Sequence, residues 1–368
     1  MKILILANHD LGLYKFRKEL LEKLVKDNEV FVSLPVGKFT DDIKKIGCKY
    51  IETSFNRRGT SIKDDILLYK KYKEIISTIN PDIVLTYTIK PNVYGGLACQ
   101  KYNIPYIVNI TGGVGTSPEF SGIVHNIALT LYKVSLKKAS KIFFQNESNR
   151  SYMLSKGIAK DSNDLLPGSG VNIEQYKPCA FPNDKTIEFT YVGRIMKEKG
   201  FNQYVDAAKY IKNKYPNTVF HVCGPYEDDY KQIIESLVKD NILVYDGYVE
   251  DMTKIYKQIQ CTIHPTYYPE GMSNVLLETC ACARAIITTN RPGCREIIED
   301  GINGFVVKEQ DSNDLIKKIE KFLSLLNEQR KQMGLNARQK VENEFDRNIV
   351  INKYLDAINE ITKWKINQ

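Results

Sequence analysis

Short apolar runs alternate with amphipathic stretches almost from one end of the chain to the other. ILILA, EVFVSL, DIVLTYT, PYIVNIT and KIFFQN are strand-sized. Between them lie LYKFRKELLEKLVKD, KDDILLYKKYKEIIST, YGGLACQKY and IVHNIALTLYKVSLKKA, whose apolar residues recur at helical spacing. Strands that are apolar along their whole length and joined by helices predict a parallel sheet covered on both faces. The alternation stops at LPGSGVNIEQYKPCAFPNDK, rich in Pro, Gly and Asn, which reads as a linker. It restarts with IEFTYVG, TVFHVCG, ILVYDG, CTIHP, AIITTN and GFVV. The predicted fold class is α/β: two doubly wound, Rossmann-like domains, with ligand in the crevice outside the carboxyl ends of the strands. Helical stretches close the chain, and the last, NIVINKYLDAINEITKWK, has no strand after it. It is expected to cross back onto the first domain, which then comprises 1–170 plus 347–368, with 171–346 as the second.

Two stretches of the second half carry candidate chemistry. In PTYYPEGMSNVLLE, Pro265 and Pro269 bar a helix before Glu270, and Ser273 or Asn274 can cap the helix that carries Val275, Leu276, Leu277 and Glu278. A loop carboxylate, helix-start amides and a second carboxylate one turn inside suit a phosphorylated, hydroxyl-rich ligand. In YVGRIMKEKG a strand ends at Gly193, a basic loop follows, and Arg194 and Lys199 stand beside a helix start, as binding a diphosphate requires. Each stretch taken alone also fits a plain surface: acidic residues favour helix starts, and lysine-rich loops are common.

At 368 residues the chain is long enough for two cores. Its net charge of +8 resides entirely in residues 1–176, which hold 25 Lys/Arg against 17 Asp/Glu, while the remainder balances at 27 and 27. A basic first half suggests an anionic neighbour. No nucleic-acid signature accompanies it. The opening MKILILANHD reads as a first strand rather than a signal peptide, and no segment reaches the roughly 20 apolar residues of a membrane span. The eight cysteines lack metal-type spacing and sit mostly in apolar runs, as buried reduced thiols do, so a cytoplasmic location is expected.

The two motifs together resemble the retaining, nucleotide-sugar-dependent glycosyltransferases of family four, which have the GT-B fold. The pattern appears as Gly193-Arg194, Lys199-Gly200, Glu270-Gly271 and Glu278; VCGPY and PGCREIIEDGINGFVV match further. The resemblance implies that Arg194 and Lys199 bind the donor diphosphate and that Glu270 lies by the transferred sugar, these three forming the catalytic set. Glu278 would hold the ribose. Gly193 and the amides of Gly271, Met272, Ser273, Asn274 and Val275 would cradle sugar and phosphate, and Gly224 and Tyr248 would lie near the base. No metal or other cofactor is implied.

The opening loop NHDLGLYKFRKEL, together with TIKPNVYGGLA, VNITGGVGT, FFQNES and LPGSGVN, resembles the branch that builds bacterial capsule, O-antigen (lipopolysaccharide) and lipid-linked oligosaccharides, often on undecaprenyl diphosphate. The implied activity is hexosyl or N-acetylhexosaminyl transfer from a nucleotide sugar, most simply a UDP-sugar, to a lipid-linked or oligosaccharide acceptor. The enzyme would sit peripherally on the anionic inner face of the cell membrane, through Leu13–Lys26 or Ile123–Lys141, either of which also fits an ordinary domain helix. Candidate acceptor contacts are His9 and Gly12 in the opening loop, Lys90 and Asn92 in TIKPNVYGGLA, and Thr111 and Gly112 in VNITGGVGT. Many family members carry histidine or glutamate where this chain has Thr111-Gly112-Gly113, and Glu119 is a nearby carboxylate. Two rival readings stand beside this one: a GT-B epimerase of UDP-N-acetylhexosamine, and a nucleotide-sugar-binding regulator without catalysis.

Overall fold

Parallel pairing of apolar strands leaves the crossover helices on both faces of a sheet, and this chain does so twice. A computed structural model describes residues 1–56, 59, 61–111, 122–159, 162–226 and 230–366. They divide into Met1–Ser169 with Asn348–Gln368, and Gly170–Arg347.

In the first unit β1 (Lys2–Leu6), α1 (Asp10–Asp27), β2 (Glu29–Leu34), α2 (Thr40–Ile46) and β3 (Lys49–Glu52) run outward from the middle of the sheet. The chain then returns through α3 (Ile62–Ile79) to β4 (Ile83–Tyr87), a π-helical turn (Pro91–Gly95) and α4 (Gly96–Tyr102). It continues through β5 (Tyr106–Ile110), α5 (Ile123–Ser135), β6 (Lys141–Phe144), α6 (Glu147–Ser155) and β7 (Asn163–Leu165). Strand order is β3-β2-β1-β4-β5-β6-β7, all parallel. The order reverses between β1 and β4, so the loops that follow those two strands flank the switch point where such sheets bind ligands. One face packs Leu20, Leu21 and Leu24 of α1 with Ile43 of α2. The other packs Tyr72 and Ile76 of α3, Ala98 of α4 and Tyr132 of α5.

The second unit runs β8 (Ile187–Val192), a 3-10 turn (Lys197–Lys199), α7 (Phe201–Lys214), β9 (Thr218–Cys223), α8 (Lys231–Lys239), β10 (Val244–Gly247) and α9 (Thr253–Gln258). It then crosses to β11 (Cys261–His264), α10 (Asn274–Ala281), β12 (Ala285–Thr289), β13 (Gly304–Val307), α11 (Ser312–Leu323) and α12 (Asn327–Glu344). Strand order β10-β9-β8-β11-β12-β13 places the switch point between β8 and β11. Those are the strands that precede the two motifs. The closing helix α13 (Arg347–Ile366) returns to the first unit, where Val350, Ile351, Tyr354, Ala357 and Ile358 enter the core. No described helix is long and apolar enough to cross a membrane. All eight cysteines are free, seven of them buried, and burial pushes the Cys48 thiol up to about 12.

His221 of β9 is a structural histidine with a measurable signature. It lies between Asp246 on β10, at 3.0 Å, and Glu188 on β8, at 3.1 Å. Burial opposes its charge, but the two carboxylates outweigh burial and raise the imidazole to about 9. A raised folded-state value stabilises below the unfolded value near 6.5 and is lost as pH rises through 9. Melting temperature is therefore expected to fall by about 4–8 °C between pH 6.5 and 9.5, the equivalent of about 2 kcal/mol for a unit of this size. Replacement by Gln flattens that slope; a slope unchanged in His221→Gln refutes the assignment.

Candidate active site

The carboxyl edge of the second sheet is built from glycines because its strand ends come closer than side chains permit. Gly193 ends β8 at φ +149°, and its N–H donates to Cys223 O at 3.0 Å. Gly224 ends β9 at φ +137°, and a Cβ there would lie 2.0 Å from Gly193 O. Its N–H donates to Gly247 O at 2.7 Å, so three consecutive strands are tied together at their ends.

The basic turn then folds against the loop after β11. Gly200 (φ +75°) ends the 3-10 turn, and a Cβ there would lie 2.1 Å from Pro265 O. Tyr267 N–H donates to Glu198 O at 2.9 Å. This docking brings Lys199 into a direct ion pair and hydrogen bond with Glu270. The Arg194 guanidinium and the Lys199 ammonium both lie over the Tyr268 ring, at 5.5 and 5.1 Å from its centroid. The three residues of the predicted catalytic set are thus brought together, although Arg194 and Glu270 stand 76 positions apart in sequence.

His264, at the end of β11, is 1% exposed and backs the carboxylate from within, its Nε2 3.5 Å from Glu270 Oε1. Burial opposes ionisation of Glu270, but Lys199, and then His264, outweigh burial and hold the carboxyl well below the usual carboxylate range. Glu270 is accordingly anionic at neutral pH. Ser273 stands at the N-cap of α10, yet its hydroxyl makes no cap and lies 3.3 Å from His264 Nε2 instead. The capping expected from Ser273 is therefore replaced by a brace on the histidine. Its own N–H donates to Gly293 O at 2.8 Å, and a Cβ on Gly293 (φ +88°) would lie 2.9 Å from Gly271 O. The loop Glu270–Ser273 is thereby clamped on the PGCRE turn. Met272 and Ser273 are buried, so a ligand meets this loop through backbone groups and through partly exposed Asn274 and Val275.

Glu278, one turn into α10, is flanked by two tyrosines. Tyr256 OH donates to its Oε2 at 3.4 Å, and the Tyr176 hydroxyl is raised above its ordinary value by burial and by the Glu278 charge. Tyr248, just past β10, is exposed. Among the described residues no cluster of three or more His, Cys, Asp or Glu forms a metal site.

In the first unit His9 caps α1, its Nδ1 accepting from Gly12 N at 3.3 Å, and it remains about one-third exposed beyond β1. Lys90 is already engaged, its ammonium 2.7 Å from Asp65 of α3. Asn92 requires a correction: it is fully buried in the π-helical turn, and its amide donates to Asn109 O at 2.9 Å. It braces β5 and offers nothing to an acceptor. Thr111 is partly exposed at the end of β5. Gly112, Gly113 and Glu119 lie outside the described residues.

Three features of this edge were missed by sequence reasoning. Asp10 is buried and accepts Phe39 N–H at 2.6 Å, holding the loop after β2. Thr88, directly after β4, has φ +74°, a strained conformation for a β-branched residue. Arg17 is buried over Tyr87 and Tyr354. Only the Asp10 position, a helix-start aspartate, left any trace in the sequence.

Two parallel-sheet Rossmann-like units with a cationic and carboxylate site at the second switch point define an α/β protein of the GT-B class. Residues 172–340 match the family model of glycosyl transferases group 1, and residues 2–146 match that of glycosyl transferase 4-like domains. The chain belongs to this glycosyltransferase family. It is 26% identical to an N,N'-diacetylbacillosaminyl-diphospho-undecaprenol alpha-1,3-N-acetylgalactosaminyltransferase of Campylobacter jejuni, over 99% of this chain and 100% of the relative. It is 23% identical to a UDP-Gal:alpha-D-GlcNAc-diphosphoundecaprenol alpha-1,3-galactosyltransferase of Escherichia coli, over 88% and 86% of the two. Among solved structures the fold matches Anabaena HepE in complex with UDP, with a TM-score of 0.80 at 17% identity over 98% of this chain and 100% of the other.

Proposed function

We propose that this glycosyltransferase moves a hexosyl or N-acetylhexosaminyl group, with retention of configuration, from a UDP-sugar to a glycan carried on undecaprenyl diphosphate. The observation that carries the donor side is the Lys199–Glu270 pair at the switch point, with Arg194 beside it and His264 behind it. The acceptor class rests on the two relatives named for diphospho-undecaprenol acceptors.

In this reading Arg194, Lys199 and the amides at the start of α10 bind the donor diphosphate, Gly193 admits it, and Glu270 orients the sugar. Glu278 takes the ribose hydroxyls, with Tyr176 and Tyr256 fixing its carboxylate, and Gly224 and Tyr248 border the base. The acceptor oxygen attacks C1 on the face that the diphosphate leaves. The C1–O bond breaks with its electron pair going to the β-phosphate, which takes up the hydroxyl proton. Positive side chains and amides stabilise the charge that develops on that phosphate, so the reading needs neither metal nor cofactor. His9, Gly12, Lys90, Thr111 and Gly112 remain the proposed acceptor side, with Lys90 acting only if its pair with Asp65 opens. The protein would work peripherally at the inner face of the membrane, where such lipids present their glycans.

The test is thermal stabilisation by nucleotides and nucleotide sugars. UDP and one UDP-sugar are expected to raise the melting temperature, by the equivalent of about 2.7 kcal/mol at a hundredfold excess over Kd. Glu278→Ala abolishes the shift. A wild-type protein that no nucleotide stabilises overturns the donor assignment, and an inverted anomer in the product overturns retention. A regulator would bind donor without ever turning it over.

A further inference from the structure

The linker that opens the second unit is sewn to the end of α10. Cys179 N–H donates at 3.2 Å to the carbonyl of Cys282, the residue that follows the helix. Arg284, 0% exposed, closes the same seam. Its Nε donates to Tyr256 O and its Nη2 to Ala180 O, both at 2.7 Å. Its Nη1 donates to Cys179 O at 3.1 Å, Cys282 O at 3.3 Å and Ala283 O at 3.2 Å. Among the described residues no carboxylate pairs with this buried guanidinium, so its positive charge is directed at the two cysteines.

The seam joins two cysteines that stand 103 positions apart in sequence. A backbone hydrogen bond between two residues sets their Cα atoms about 6 Å apart, inside the span of about 4.4–6.8 Å that a disulfide bridges. The side chains meet as well, since the Cys179 thiol adds to burial in raising that of Cys282. Cys179 packs against the apolar cluster that holds Cys282, yet it is the one cysteine of the eight that is not buried. Solvent access and a neighbouring cation are the two conditions that let a thiol react as its thiolate. Cys261 and Cys280 are neighbours too, but both are fully enclosed and closed to any reagent.

We infer that Cys179 and Cys282 are a modification site, forming a reversible intramolecular disulfide when the protein meets a peroxide. The Cys179 thiolate attacks one peroxide oxygen and the O–O bond breaks, which leaves a sulfenic acid and a hydroxide. That hydroxide takes up the proton lost by Cys179 and departs as water. The Cys282 sulfur then attacks the Cys179 sulfur, and the S–O bond breaks. The second departing hydroxide takes the Cys282 thiol proton. Two thiols have lost two hydrogens and two electrons, and one peroxide has become two waters. Exchange with a dithiol opens the bond again, the dithiol itself becoming the disulfide. The inference goes beyond the functional reading and does not rest on it. The bond closes one turn along α10 from Glu278, on the segment that carries Tyr176.

The experiment treats the reduced, folded full chain with a small excess of hydrogen peroxide, blocks the remaining thiols in denaturant and maps linked peptides by mass spectrometry. The expected result is a single cross-link, Cys179 to Cys282, that dithiothreitol removes and Cys179→Ser abolishes. The other six cysteines all take up the blocking reagent. The bond closes a loop of about 100 residues, so oxidised wild type is expected to melt at least about 4 °C above the reduced form. Cys179→Ser and Cys282→Ala melt alike with and without peroxide. Should Cys282→Ala fail to fold, the partly exposed Cys179→Ser and the wild-type map decide alone. Peroxide that carries Cys179 to sulfinic or sulfonic acid without a cross-link overturns the inference. So does a link between two chains or to any other cysteine, and so does treated wild type whose free thiols and melting temperature match the reduced form.

Discussion

Lys199→Ala and Glu270→Ala each lower transfer at least tenfold, the equivalent of about 1.4 kcal/mol of barrier, and the double variant loses little beyond the worse single one. The two side chains are one device. Lys199 is 14% exposed and Glu270 13%, so removing the lysine leaves a mostly buried carboxylate, with the His264 ring still 3.5 Å away. Breaking such a pair from one side costs more than the pair is worth, because the abandoned charge keeps its desolvation penalty. In Lys199→Ala the carboxyl regains a more ordinary proton affinity, and the loop Glu270–Ser273 loses its tie to the basic turn. In Glu270→Ala the ammonium loses its carboxylate and keeps its place over the Tyr268 ring. Initial rates at saturating acceptor, with donor varied, separate binding from turnover. Equal rates in both variants and wild type would remove this pair from the chemistry. Strict additivity in the double variant would show two independent contributions, contrary to the geometry.

A single methyl group at Gly200 is expected to be as damaging as either charge deletion. Gly200→Ala puts a Cβ 2.1 Å from Pro265 O, a backbone atom with nowhere to go, at a φ of +75° that alanine resists. The left-handed conformation costs about 1 kcal/mol, and relief of the overlap requires the basic turn and the β11 loop to part. The combined destabilisation is about 3 kcal/mol, which denaturant titration resolves readily. If the unit still folds, the parted loops no longer present Lys199 to Glu270, and transfer falls with stability. Wild-type stability and rate in Gly200→Ala would mean that the two loops are not in contact.

Much of this was legible beforehand, for reasons that separate cleanly. The alternation of apolar runs and helical stretches fixes both parallel sheets, because buried strands must be apolar on both faces. The return of α13 followed from a helix with no strand to serve. The short edge strands β3 (KYIE) and β7 (NDL) escaped notice, since their residues are only half-buried and carry no apolar run. Arg194, Lys199 and Glu270 stood out through the family pattern that the two motifs share, since each stretch taken alone also fits a plain surface. What periodicity cannot show is the partner of a side chain across the fold. Lys90 belongs to Asp65, Asn92 to Asn109, and the Ser273 hydroxyl to His264 rather than to its own helix. Thr88 was invisible for another reason: a β-branched residue in the left-handed region runs against its own preference, and only the surrounding structure imposes it.

The placement of α13 bears on how the protein is made. A ribosome completes β1 to β7 early, but the face of that sheet that waits for Val350, Ile351, Tyr354 and Ile358 stays open until some 180 further residues have been added. The whole second unit, contiguous from Gly170 to Arg347, can close in the meantime. The half synthesised first therefore matures last, and while it waits its exposed apolar sheet is the natural client of a chaperone.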